Sequence, residues 1–76
     1  MSVIGIIGAM EEEVAALKEK MQISGVLKRA SMEFYKGTLQ GKPVVVVRSG
    51  IGKVNAGLCT QILVDLFDVK KVINTG

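Results

Sequence analysis

Three consecutive carboxylates, Glu11, Glu12 and Glu13, follow the turn around Gly8. Acids in the first turn of a helix are favoured by the helix macrodipole, so a solvated surface cluster is one interpretation of this run. A partly buried carboxylate beside a glycine turn could instead act as a general base that polarises a water molecule. The run therefore indicates either an electrostatic helix start or a site for acid–base chemistry.

The helical spacing of the residues around this run distinguishes the three carboxylates. Apolar side chains recur along one helix face at Met10, Val14, Leu17 and Met21. At about 100° per residue, Glu12 points away from this face, while Glu11 and Glu13 lie on its flanks. No Lys or Arg follows any of the three by four residues, so no ion pair along the helix accounts for them. We therefore expect Glu12 to face solvent and Glu13 to be slightly better placed than Glu11 to reach the preceding strand's end.

Two more glycine turns follow predicted strands, at residues 49–52 and at residues 75–76. Ile7 and Met10 occupy glycine positions of the dinucleotide fingerprint, and Val54 stands where a phosphate-binding loop needs Ser or Thr, so neither motif is present. Glycine at the carboxyl end of a strand nevertheless lets a ligand approach the backbone closely. Each turn alone could be merely tight, but three at one sheet edge predict a pocket.

The order of the apolar segments predicts an α/β fold with helices on both faces of a sheet. Strands are expected at Val3–Ile7, Met32–Gln40, Val44–Val47 and Val72–Ile73, the middle two forming a hairpin around a turn at residues 41–43. Helices are expected over residues 10–21 and 54–67. The second helix is expected to bury a stripe at Val54, Leu58, Ile62 and Leu66, widened by Leu63 and Phe67. Residues 22–31 are polar and are expected to be irregular.

The composition of the chain excludes several classes of partner. The 76 residues have a mass of 8.1 kDa, and 49% are hydrophobic, which favours a globular core over disorder. The net charge of +3 is small and the aromatic content of 4% is too low for base stacking, so no nucleic-acid partner is expected. No apolar run approaches the roughly 18–20 residues of a membrane span, and no secretory leader is recognisable. We therefore expect neither a nucleic acid nor a membrane as a partner.

Histidine is absent, which excludes a histidine base and a histidine metal site within these residues. Cys59 is the single cysteine, so an internal disulfide and a paired-cysteine metal site are excluded too. Its neighbours are apolar, and we expect a buried, inert thiol in a reducing, cytoplasmic setting. No metal and no cofactor is expected.

The final strand indicates a larger domain. A strand that finishes in Asn74-Thr75-Gly76 ordinarily leads into a loop at the carboxyl edge, where open α/β sheets bind ligands. So short a chain can bury only a small core by itself. We therefore expect residues 1–76 to be the N-terminal portion of one domain. The alternative is a small, complete three-layer protein.

Three segments resemble signatures of the 5′-methylthioadenosine/S-adenosylhomocysteine nucleosidases, a group within the nucleoside phosphorylase superfamily. They are residues 5–13 (GIIGAMEEE), 49–56 (SGIGKVNA) and 72–76 (VINTG), and the likeness covers the whole chain. The resemblance implies hydrolysis of the N-glycosidic bond of methylthioadenosine and S-adenosylhomocysteine, with release of adenine. It also implies a single three-layer α/β domain with a mixed central sheet flanked by helices, no cofactor, and a homodimer.

The same resemblance implies roles for individual residues. Glu13, the third glutamate of the run, would act on the nucleophilic water, while Met10 and Ile51 would line the pocket for the alkylthio group. The family's acid for adenine and its ribose-binding glutamate lie further downstream than Gly76. The 76 residues are therefore expected to be inactive without the rest of the domain.

Three alternative functions stay open. The protein could hydrolyse another nucleoside, such as futalosine, or it could be a phosphorolytic nucleoside phosphorylase. It could also be a non-catalytic fragment that only completes a fold. A phosphorylase needs glycine amides and arginines around a phosphate dianion. Glu13 at that position would repel phosphate, which favours a hydrolase.

Overall fold

The computed structural model of the protein describes residues 2–8, 10–29, 32–48 and 54–75. Along them run β1 Val3–Gly8, α1 Glu11–Lys20, β2 Gln22–Arg29, β3 Met32–Leu39, β4 Lys42–Arg48, α2 Val54–Phe67 and β5 Val69–Thr75. The strands form one sheet in the order β2-β3-β4-β1-β5. The predicted α/β fold is therefore confirmed.

The sheet is mixed because its two halves pair in opposite senses. β1 lies parallel to β4 on one side and to β5 on the other, whereas β2, β3 and β4 pair antiparallel. The four valines Val44–Val47 of β4 are all buried. A β-branched run is typical of a strand covered on both faces.

The predicted hairpin between β3 and β4 is confirmed, with a shorter turn. Gln40 and Gly41 both have positive φ angles, 53° and 79°. Two consecutive left-handed residues match the twist of an antiparallel pair and close the turn. Lys42 and Pro43, expected in the turn, therefore already belong to β4.

The two helices cover opposite faces of the sheet. On one face, residues of the α1 segment pack with β1 and β4 in a cluster of Ile6, Val14, Met21, Val44 and Val46. On the other face, α2 packs with the alternate residues of the same strands, in a cluster that includes Ile7, Val45, Val47, Cys59 and Leu63. Successive strand residues point to opposite faces, so one pair of strands serves both clusters. The predicted three-layer arrangement is confirmed.

The prediction that residues 22–31 are irregular is wrong, because Gln22–Arg29 form β2 at the edge of the sheet. β2 pairs with β3 along its length, with a bulge between Ile23 and Gly25. Almost all of its side chains are exposed, so it lacks the apolar alternation from which a strand can be predicted. Its backbone hydrogen bonds to β3 hold it in the sheet.

The predicted buried face of α2 is confirmed at Leu63 and Phe67 and wrong at Leu58 and Leu66, while the side chain of Val54 lies outside the described residues. Cys59 and Leu63 are fully buried, whereas Leu58 and Leu66 are 45% and 51% exposed. Ile62, also in the predicted stripe, is half-buried. Because this helix carries apolar side chains on several sides, their spacing alone could not select the face that meets the sheet.

We expect Gly37→Ala to lower the free energy of unfolding of the complete protein by about 1–3 kcal/mol. A Cβ at Gly37 of β3 would overlap the backbone carbonyl of Gln22 on β2, and that backbone cannot move without disturbing the sheet. Gly25→Ala on β2 is the matched control, since nothing lies within 4 Å of its Cβ position. Denaturant unfolding measures both changes. Equal stability of the two variants would show that β2 and β3 do not approach this closely.

Candidate active site

Three parallel strand ends meet at one edge of the sheet. Gly8, at the end of β1, pairs with Arg48 of β4 on one side and with Thr75 of β5 on the other. β5 reaches this edge because it runs over Val69–Thr75, further than the predicted strand at residues 72–73. The predicted convergence is confirmed for the strands. The turn at residues 49–52 and Gly76 lie outside the described residues.

Gly8 lets α1 approach this edge closely. A Cβ at Gly8 would lie 2.5 Å from Val14 Cγ2, too close for any side chain, and 3.6 Å from Thr75 Oγ1. The lack of a side chain at Gly8 therefore brings the first turns of α1 against the end of β1. It also leaves no β1 side chain between α1 and Thr75 at this level.

The three carboxylates at the start of α1 have different surroundings. Glu12 is exposed, as predicted. Arg48 Nη1 donates a hydrogen bond of 3.3 Å to Glu11 Oε2, an ion pair whose side chains are 47% and 82% exposed. Glu13 is half-buried, and its Oε1 atom is buried. The structure thus separates the two flanking glutamates, which helical spacing alone left nearly equivalent.

Two buried side-chain oxygens have no hydrogen-bond partner within the described ranges, Glu13 Oε1 and Thr75 Oγ1. Burying a polar atom unpaired costs about 1–3 kcal/mol, so such atoms in a folded protein call for an explanation. Both residues belong to elements that meet at Gly8. Each oxygen could be satisfied by a small polar ligand or a water molecule bound at this edge.

The sequence indicates only a turn at Thr75-Gly76 and does not distinguish Thr75 as a site residue. The signal that could have found it is a hydroxyl residue at the end of a strand beside a glycine. That pattern is common, however, and its meaning here depends on the pairing of β5 with β1.

Met10 lies immediately before α1 and is 52% exposed. Its backbone carbonyl accepts the hydrogen bond of the Val14 amide, 3.3 Å long, which fixes the entry into the helix. The side chain is not part of the buried cluster beneath α1, so it is available to contact a ligand. Ile51, the other residue expected to line the pocket, lies outside the described residues.

No group of three or more acidic or cysteine side chains among the described residues could hold a metal ion. Neither of the described helices is long and apolar enough to cross a membrane. Cys59 is buried on α2, and desolvation raises the pKa of its thiol from 9.0 to about 11. The prediction that Cys59 is buried is confirmed, and a raised pKa disfavours the reactive thiolate.

Comparison with known proteins finds similar nucleosidases, both in sequence and in structure. A 5′-methylthioadenosine/S-adenosylhomocysteine nucleosidase of Halalkalibacterium halodurans is 51% identical over 76 residues, which are 100% of this chain and 33% of that protein. The nucleosidase of Colwellia psychrerythraea, solved in complex with adenine, superposes with a TM-score of 0.91 and 53% identity over 99% of this chain and 31% of that one.

A futalosine hydrolase of Helicobacter pylori has a TM-score of 0.85 and 34% identity over 99% of this chain and 33% of that one. The chain thus spans about a third of the length of the relatives it matches. Residues 3–76 match the Phosphorylase superfamily, and the chain belongs to that family.

Proposed function

We propose that residues 1–76 form the N-terminal portion of one nucleosidase domain. The complete protein hydrolyses the N-glycosidic bond of methylthioadenosine and S-adenosylhomocysteine and releases adenine. The proposal rests on Glu13, whose Oε1 atom is buried at the sheet edge with no partner among the described residues. The likeness to nucleosidases, one of them with adenine bound, supports this substrate class.

Glu13 acts as the general base in this reaction. Its position in the first turn of α1 suits a carboxylate, because the helix N-terminus stabilises the negative charge that a base needs. The carboxylate takes a proton from water while the water oxygen bonds to the anomeric carbon. The electron pair of the broken carbon–nitrogen bond leaves with adenine, which is protonated in the same turnover.

The test is release of the free base by the complete protein from methylthioadenosine, S-adenosylhomocysteine and futalosine, followed by chromatography. Futalosine is the comparison substrate because a futalosine hydrolase is also similar, although at 34% identity against 53% for the nucleosidase. We expect adenine from the first two substrates at rates well above that of futalosine cleavage. Cleavage of futalosine alone would overturn the proposal, and so would a protein that cleaves none of the three.

Met10→Ala and Ile51→Ala are expected to weaken binding of methylthioadenosine by about tenfold or more, and to affect adenosine much less. An apolar contact with one methylene is worth about 1–3 kcal/mol in such a pocket. Adenosine lacks the methylthio group and so loses nothing at that position. Ile23→Ala is the control, because Ile23 is 44% exposed on β2, an outermost strand that β3 and β4 separate from β1. Competition assays measure the affinity of each variant for both nucleosides. Equal weakening of both would show that these residues have a structural role and do not contact the methylthio group.

We further propose that the complete protein is a cytoplasmic homodimer whose thioribose product serves methionine salvage. Leu58, Val64 and Leu66 expose apolar side chains along α2, which supports a face covered by another part of the protein or by a second copy. The unpaired thiol of Cys59 suits a reducing compartment. Light scattering should give twice the mass of one chain, and a monomeric mass would contradict the dimer.

A further inference from the structure

We propose that the hydroxyl of Thr75 binds the water molecule on which Glu13 acts, as a second catalytic group of the site. The inference rests on the proposed hydrolytic function and adds a residue to it. Its basis is that Thr75 Oγ1 and Glu13 Oε1 are both buried and both lack a hydrogen-bond partner within the described part of the chain.

The pairing of β5 with β1 places Thr75 on the same side of the sheet as Glu13. Thr75 is the register partner of Gly8, whose missing side chain would touch both Thr75 Oγ1, at 3.6 Å, and Val14 Cγ2, at 2.5 Å. Val14 belongs to α1 and directly follows Glu13. The Thr75 hydroxyl and the first turns of α1 therefore face each other across Gly8.

A threonine hydroxyl complements a carboxylate in holding a nucleophilic water. The Glu13 side chain, acting as a carboxylate base, accepts a hydrogen bond from one hydrogen of the water. The hydroxyl of Thr75 can accept the second hydrogen, which leaves a lone pair of the water free to attack. When the water oxygen bonds to the anomeric carbon, its proton passes to Glu13 and the carbon–adenine electron pair leaves with the base. Thr75 keeps its own proton throughout.

The test compares variants of Thr75 in the complete protein. Thr75→Val keeps the size and β-branching that suit a strand and removes the hydroxyl. We expect kcat for methylthioadenosine to fall about tenfold, the rate equivalent of one lost hydrogen bond, with KM unchanged. Thr75→Ser, which restores the hydroxyl, should return kcat to within about threefold of the wild type. If the valine variant does not fold, the kcat of Thr75→Ala compared with that of Thr75→Ser measures the effect of the hydroxyl instead.

Thr38→Val is the matched control for losing a threonine hydroxyl from the sheet. Thr38 lies on β3 and pairs with Pro43 near the start of β4. Gly8 pairs with Arg48 at the other end of β4, so Thr38 is remote from the site. This variant should keep the wild-type kcat. A loss in Thr38→Val as large as that in Thr75→Val would overturn the proposal, because the effect would then belong to the sheet as a whole.

A double-mutant cycle asks whether Thr75 and Glu13 act on the same water. In the Glu13→Gln background, Thr75→Val should change the residual rate by less than about twofold, since residues that work as a unit are not additive. A full additional tenfold loss would overturn the proposal.

If Thr75 has only a structural role, the Thr75 variants should behave differently. Replacing an unpartnered buried hydroxyl with a methyl group would then keep or raise Tm and leave kcat at the wild-type value. That outcome, in an enzyme that still releases adenine, rejects the role of Thr75 and leaves the proposed function standing. A wild-type protein that releases no adenine rejects both.

Discussion

Replacing Glu13 with Gln is expected to lower turnover of methylthioadenosine by about 10²–10⁴-fold, the contribution of a positioned general base. Gln has nearly the shape of Glu, but its amide cannot accept the proton of the attacking water. Because Glu13 is half-buried rather than deep in the core, we expect the variant to fold. Binding of a substrate analogue, measured by calorimetry, should largely survive, so the loss appears in kcat.

Glu12→Gln is the matched control, since it makes the same chemical change one residue away on an exposed side chain. We expect it to keep nearly full turnover. Glu11→Gln should also change turnover little, because Glu11 is exposed. Its ion pair with Arg48 is exposed too and contributes little to stability, so the variant should fold normally. Near-normal turnover in the Glu13 variant, or a large loss in the Glu12 variant, would reverse the assignment.

The sequence predicts how the three carboxylates are oriented around their own helix, but it does not predict their contacts with other elements. Helical periodicity turns Glu12 outward, and the structure agrees. Periodicity cannot distinguish Glu11 from Glu13. The difference between them is the hydrogen bond that Glu11 accepts from Arg48, which lies 37 residues away in the sequence. That pairing follows from the parallel register of β1 with β4, a long-range feature that no local pattern encodes.

The strands that could be predicted are those that bury apolar side chains. β1 and β4 are apolar runs covered on both faces, and the sequence predicts both. The sequence does not predict β2, because its side chains are exposed and its place in the sheet depends on backbone hydrogen bonds to β3. Backbone pairing of this kind is almost independent of side-chain type, so it leaves little trace in composition.

Thr75 shows the same limit at the candidate site. A hydroxyl residue before a glycine is unremarkable in the sequence, and only the register of β5 against β1 places it beside Gly8. That register includes an irregularity between Val3 and Ile4. A shift of one residue would turn the Thr75 side chain to the opposite face of the sheet, away from α1.

Membership of the Phosphorylase superfamily does not decide between hydrolysis and phosphorolysis, but the charges at the sheet edge favour the proposed hydrolysis. A phosphorylase must hold a phosphate dianion beneath the ribose, and planar guanidinium groups suit its oxygens. Arg48 is the basic residue at the end of β4, and its Nη1 already donates to Glu11. The half-buried Glu13 would add repulsion to any phosphate bound there. A carboxylate at this edge suits a neutral water better than a phosphate dianion, because two negative charges repel each other.

We therefore expect adenine release at the same rate with and without inorganic phosphate, and no ribose-1-phosphate among the products. The complete protein is assayed in phosphate-free buffer, and phosphate is then titrated in. A parallel titration with sodium chloride at equal ionic strength controls for screening of the surface charges. A strict requirement for phosphate would overturn the hydrolase assignment.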